Sequence, residues 1–297
     1  MKRHAYLIIA HNEPEVLETL LHMLDVEWND IYLHIDKRSD WLRKKVEADV
    51  SLSRARLFIL SNPIKVYWGH VTQIKVEILL LKEAAANGPY AYYHLLSGCD
   101  MPIKSPREIY DFFELHRGRE FLGFWNSERD QSDAMRKARY YYVFNRYKER
   151  ANRFQHILTT PLRNILLDIQ KIIGVNRLRG TIRKGFNWFS ITEDFCRYLL
   201  AHERDIWKIF RYTLCGDELF MQTFIWDSPF RENLFDTEDA QRGSMRAIDW
   251  QRGSPYVWRA EDVDYLIGSP YLFARKFSSV HMDAVEDVKN RVEADTF

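Results

Sequence analysis

Residues 5–24, AYLIIAHNEPEVLETLLHML, decide the fold class. The first six form an unbroken apolar run, the pattern of a strand covered on both faces. After His11-Asn12-Glu13-Pro14, apolar residues return at Val16, Leu17, Leu20, Leu21 and Leu24, one stripe of a helix. The alternation then repeats. DIYLHID (30–36) reads as a second strand, 42–50 as a polar helix and ARLFILS (55–61) as a third strand. HVTQIKVEILLLKEAAANG (70–88) reads as a long helix stopped by Asn87-Gly88-Pro89, and AYYHLLS (91–97) as a fourth strand. A βαβαβαβ order predicts an α/β fold, a mostly parallel sheet flanked by helices. Ligands of such sheets collect beyond the carboxyl ends of the strands. Those ends are AHNE (10–13), HIDKRS (34–39), NPIKVYWG (62–69) and SGCDMP (97–102), all rich in polar and turn residues.

The second part of the chain predicts strands at REFLGF (119–124) and FNWFSIT (186–192), and helices over 193–203 and 217–225. Residues 227–258 read as loop-rich, and AEDVDYLIGS (260–269) as a short helix. With no internal repeat and no low-complexity linker, residues 1–297 read as one domain with a C-terminal extension.

Composition narrows the function. A net charge of +1 gives no global field for nucleic acid, which is not expected as a partner. Nine Trp, 16 Tyr and 18 Phe suit flat amphipathic ligands such as sugars or bases, as well as an aromatic core. Cys99, Cys196 and Cys215 form no CxxC pair, which fits a reducing compartment and argues against structural zinc or a disulfide framework. The apolar run at the start ends without a small-residue cleavage site, and no run approaches the roughly 18 residues of a membrane span. A cytoplasmic location is the expectation. Between Arg136 and Lys184, thirteen Lys and Arg face only Glu149 and Asp168. Leu162, Ile165, Leu166, Ile169, Ile172 and Ile173 recur there at helical spacing. The more economical reading is a helix packed on the body with a solvated basic face. The other is peripheral contact of 136–184 with the inner face of an anionic membrane.

Missing motifs exclude several chemistries. There is no GxxxxGK[ST] loop, no GxGxxG after the first strand, no GxSxG elbow and no HExxH or Cys/His cluster. The motifs present each admit two readings. Asp36, with Lys37 and Arg38 free to meet phosphate, suits a ribose or base edge, or is an ordinary strand-to-helix turn. Trp68 and Gly69 offer a stacking face and close backbone approach, or a buried Trp beside a turn glycine. Asn187 and Trp188 line a sugar site or merely start a strand. Arg246, Arg275 and Lys276 lie among apolar residues, and cations so placed either neutralise a diphosphate or pair with a nearby acid. Asp262 and Asp264 form a DxD like those that hold divalent metals, but fit an acidic helix start better. CGDELFMQTFI (215–225) puts Asp217 and Glu218 at the head of an apolar run. Either both cap a helix, or one is held in a pocket to move a proton.

Taken in order, AHNE, HIDKRS, VYWG, LLSGCDMPIKSPREI, NWFSIT, GDELFMQT, MRAIDW and LFARKF resemble glycosyltransferase family 14. This is the "Branch" family of core-2/I-branching N-acetylglucosaminyltransferases and peptide O-xylosyltransferases. The likeness runs from about Ala5 to Phe277. HIDKRS, YWG and FARKF look closer to the xylosyltransferase branch, while compact size and the lack of an anchor are similar to bacterial members. The resemblance implies a GT-A-like fold, with 1–125 as a nucleotide-binding half and 126–297 as a donor-sugar and acceptor half, and inverting transfer from a UDP-sugar (GlcNAc or xylose) to a hydroxyl of a glycan or other acceptor. A role in bacterial surface polysaccharide synthesis is the expected setting, with no metal or other cofactor required. It implies Glu218 as general base and Lys276 and Arg275 on the diphosphate, with Arg246 close by. Asp36 and Ala10 would hold the uracil or ribose end, with Trp68 and Gly69 continuing that wall. Asn187 and Trp188 would lie against the donor sugar, with Asp217 also on the donor-sugar and acceptor side. The rival expectations are a metal-dependent transferase using Asp262 and Asp264, or a non-catalytic carbohydrate-binding relative. Residues 125–184 match least.

Overall fold

Strand β1 (His4–Ala10) is central because nearly every side chain along it is apolar and buried. After it come α1 (Pro14–Met23), β2 (Asn29–Ile35), α2 (Asp40–Asp49), β3 (Arg56–Ile59), α3 (Thr72–Asn87) and β4 (Tyr92–Ser97). A short β5 (Asp100–Pro102) leads to α4 (Pro106–Leu115), β6 (Phe121–Phe124), α5 (Glu128–Arg139) and α6 (Arg153–Ile172). Next are β7 (Gly185–Thr192), α7 (Glu193–Ala201), α8 (Glu203–Phe210), a 3₁₀ turn (Gly216–Glu218) and α9 (Phe220–Trp226). The chain closes with α10 (Ala240–Ser244), β8 (Arg246–Ile248), α11 (Val263–Gly268), β9 (Phe273–Arg275) and α12 (Met282–Ala294). This computed structural model describes residues 2–143, 153–178 and 180–294, and for 153–158 the backbone alone.

Six strands form one sheet in the order β3-β2-β1-β4-β7-β6, with β3, β2, β1 and β4 parallel. β7 is antiparallel to both β4 and β6. This agrees with the α/β, GT-A-like expectation of a mostly parallel sheet flanked by helices. The reversal of β7 has a functional result. His94 pairs with Ser190 and Tyr92 with Thr192, so β7 begins at the edge where β1, β2 and β4 end. Asn187 and Trp188, early in β7, therefore reach the ligand edge. Gly185 allows this start: a Cβ there would lie 1.8 Å from the Gly123 carbonyl oxygen, where the β6–β7 register shifts.

A smaller sheet, β5-β9-β8, pairs Asp100 with Arg275 and Ile248 with Arg275. It packs through Met101, Ala247 and Ala274 against Val16 of α1, Leu266 of α11 and Val285 and Val288 of α12. Both sheets thus draw strands from each half of the chain.

Three elements differ from the sequence reading. The helix expected from Asp217 starts only at Phe220, because Cys215 takes a left-handed backbone (φ 50°) and 216–218 wind into a 3₁₀ turn. The loop-rich segment 227–258 contains α10 and β8. On α6, Leu162, Ile165, Ile169 and Ile172 are exposed, as is Ile173 just beyond it, so this apolar stripe is not the face packed on the body. Of the basic residues of 136–184, Arg146, Lys148, Arg150 and Arg179 lie outside the described residues, as does the side chain of Arg153.

Candidate active site

A cleft of about 600 Å³ opens at the carboxyl edge of the large sheet. Eight predicted residues line it: Ala10, Asp36, Trp68, Asn187, Trp188, Asp217, Glu218 and Arg275. Gly69, Arg246 and Lys276 are not among its lining.

Ala10 ends β1 at one end of the cleft, with Asp36 just beyond β2. The Asp36 carboxylate accepts from Arg38 Nε (2.8 Å) and Nη2 (2.6 Å), and from the backbone N–H of Arg38 (2.8 Å) and Val66 (2.9 Å). Burial opposes its charge, but these donors hold it below the usual carboxylate range. Arg38 is therefore not free for phosphate, as the sequence suggested. It is spent on Asp36 and the Val66 carbonyl, and lies 4.7 Å from the centre of the Tyr67 ring. Trp68 is 48% exposed, so it stands on the cleft surface and not in the core. Gly69 (φ +65°) sits behind that wall: its carbonyl accepts from Cys215 N at 3.0 Å, and an added Cβ would stand 3.3 Å from Cys215 Sγ.

Across the cleft, Arg275 gives Nη1 to Asp100 (2.6 Å) and Ser97, while its guanidinium carbon lies 4.5 Å from the Trp188 ring centre. Paired and stacked, it is a fixed cation on the wall. Lys276 follows it, partly buried, with its charge felt at the Glu13 carboxylate. Arg246 does not reach the cleft. It is 2% exposed, donates to the carbonyls of Ser244 (2.6 Å) and Phe189 (3.0 Å) and to Ser190 Oγ (3.0 Å), and lies over Phe273. It ties the small sheet to β7, so its expected place near the diphosphate gives way to a structural one.

The 3₁₀ turn separates its two acids. Asp217 points inward, 5% exposed, and takes the Gln73 amide at 2.9 Å. Burial, then the charge of Glu218, pushes its carboxyl up to about 7. Glu218 is half-buried on the cleft side and meets Lys137 Nζ at 3.2 Å. Burial works against the Lys137 ammonium, but the charges of Glu218 and Asp133 raise it above its ordinary value. Lys137 reaches this point because Ser127 caps α5, accepting from Asp130 N at 3.1 Å.

Sequence reasoning missed four contributors: Gln73, Glu77, Asp100 and Lys137. Glu77 carried a signal, since it stands three residues after Ile74 and four before Leu81 on the buried stripe of α3. The others are set by long-range contacts. Asp262 and Asp264 do not form a metal pair: Asp262 holds Arg252 Nη1 (2.7 Å) and caps the turn before α11, and Asp264 pairs with Arg291. Among the described residues, no three His, Cys, Asp or Glu side chains are grouped to hold an ion.

The family model described as Core-2/I-Branching enzyme matches residues 4–265. Xylosyltransferase 2 of the dog is 24% identical over 306 residues, covering 96% of this chain and 33% of its own length. Human xylosyltransferase 1 is 21% identical, over 94% of this chain and 29% of its own. The chain spans about a third of the length of these curated relatives. A structure of mouse xyloside xylosyltransferase 1 aligns over 92% of this chain and 97% of that one, at 10% identity and a TM-score of only 0.43, too loose to bear on function. The chain belongs to the Core-2/I-Branching enzyme family.

The raised Asp217 carboxyl has a thermodynamic consequence. Its carboxyl titrates near 7 when folded, against 3.8 for the free group. Between those values the folded state keeps a proton that the unfolded chain has lost, so this group makes stability fall as pH rises. Asp217→Asn should raise the melting temperature more at pH 8 than at pH 4, by roughly 1–3 kcal/mol of relative stability. A pH-independent difference between variant and parent would mean that Asp217 is ionised.

Proposed function

We propose that this protein transfers a sugar, with inversion and without a metal ion, from a UDP-sugar to an acceptor hydroxyl. The observation that carries the reading is that Glu218 and Arg275 line one cleft, each held by a partner of opposite charge. Inverting transfer is a direct displacement. Glu218 takes the acceptor proton as the hydroxyl attacks, while Arg275 and Lys276 stabilise the charge developing on the departing diphosphate. Trp68 and the Asp36-braced loop receive the nucleotide, and Asn187 and Trp188 face the donor sugar. With Asp217 turned inward onto Gln73, Glu218 is the carboxylate that meets the acceptor. The relatives' names make UDP-xylose the first donor to assay, and UDP-GlcNAc the second.

Glu218→Gln should lower turnover by at least ~10²-fold while UDP affinity stays within about threefold. Lys276→Ala should weaken UDP binding by roughly 1.5–3 kcal/mol, the range for hydrogen bonds to charged groups. UDP-release assays and calorimetry check both. Full turnover in the first variant, or unchanged affinity in the second, would remove that residue from its role.

A second reading concerns α6. Its exposed Leu162, Ile165, Ile169 and Ile172 lie in the most basic part of the sequence, a combination that favours peripheral contact with an anionic bilayer. Wild-type protein should sediment with vesicles containing phosphatidylglycerol and not with neutral ones, and Ile169→Glu with Ile172→Glu should abolish it. Equal recovery of both proteins with the anionic vesicles would end this reading.

A further inference from the structure

Helix α3 carries two polar residues into the floor of the cleft, one turn apart. Gln73 links the Gly69 N–H to the Asp217 carboxyl. Glu77 is 0% exposed yet belongs to the cleft lining. Neither of its oxygens has a hydrogen-bond partner, and the same holds for Oδ1 of Asn187 and Oδ1 of Asp217, both also cleft-lining. Four buried acceptor atoms thus gather beneath the transfer site.

The charges facing this floor are those of Glu218 on the turn and Lys137 on α5, with the Cys215 thiol beside them. Lys137 is committed to Glu218 and to Asp133 (2.9 Å), and among the described residues no cation pairs with Glu77. A fully buried carboxylate without a cation is strongly disfavoured, and such a group keeps its proton. Burial and the charge of Asp217 both raise the Glu77 carboxyl well above its usual range, and the adjacent Asn187 side chain offsets only part of that. A protonated carboxyl offers one O–H donor and one carbonyl acceptor. The surrounding atoms ask for that pair: Asp217 Oδ1 lacks a donor, and the Asn187 amide is a donor at hand.

We propose that Glu77 is a positioning residue of the transfer site, a neutral carboxyl that donates its O–H to Asp217 and accepts the Asn187 amide. One proton then joins β7, where Asn187 and Trp188 meet the donor, to the 3₁₀ turn, where Glu218 meets the acceptor. The distance between leaving group and base is fixed by this link rather than by a loop. The inference rests on the transferase reading above for its consequence, not for its geometry.

The test uses the whole chain with Glu77→Gln, which keeps a donor and an acceptor, and Glu77→Met, which keeps volume alone. At pH 7 the infrared spectrum of wild-type protein should contain a protonated-carboxyl C=O band that is lost in Glu77→Gln, whatever the turnover. Glu77→Met should melt below Glu77→Gln, since it leaves the Asn187 amide and the Asp217 oxygen without their partner. With UDP-xylose or UDP-GlcNAc it should also lose ~10²-fold in kcat/KM, the scale of a misplaced reacting group, while UDP affinity holds. Glu77→Gln should recover most of that loss. Absence of the infrared band, or equal kcat/KM in Glu77→Met and wild type, overturns the proposal. No UDP binding in any form of the protein would instead count against the transferase reading and leave the infrared result to judge Glu77.

Discussion

The site depends on how the 3₁₀ turn Gly216–Glu218 is wedged against α3, α5 and β7. Two adjacent acids in an α-helical first turn would both face solvent or share one environment. The left-handed Cys215 rotates the turn so that Asp217 enters the core and Glu218 stays on the cleft. Three contacts hold it there: the Gly69 carbonyl on Cys215 N, the Gln73 amide on Asp217 and the Lys137 ammonium on Glu218. Two of these come from the loop and helix that also present Trp68. The Trp68 wall and the Glu218 turn are therefore parts of one piece, as the proposed transfer would require.

The opposite wall is built by different means. The small sheet lifts Arg275 to the cleft, and Asp100, Ser97 and Trp188 fix its direction. Glu218 with Lys137 and Arg275 with Asp100 are each held by a partner of opposite charge. Arg246 supports this wall from inside, anchoring β8 to β7 through backbone carbonyls.

Strand and helix order were legible because buried parallel strands are continuous apolar runs: AYLIIA became β1, AYYHLLS became β4. The reversed direction of β7 was not, since FNWFSIT reads the same in either orientation. The three-residue strands β5, β8 and β9 are too short to carry a period. Among site residues, those at strand ends (Ala10, Asp36, Trp68, Asn187, Trp188) were found by position. Arg246 shows the limit of that reasoning, because a cation in an apolar run serves carbonyls as readily as phosphates. Arg38 shows it again, since two residues of separation let Asp36 capture it. Glu77 was hidden by its helix: a carboxylate on a buried stripe can only be interpreted once its neighbours are known.

The central claim is that one carboxylate, Glu218, works against a cationic wall by a single displacement. The most direct measurement is the anomeric configuration of the first-formed product, read by proton NMR during early turnover of an α-linked UDP-sugar. The account predicts a β-linked product. An α-linked product would mean net retention and would contradict a mechanism in which Glu218 serves only as a base.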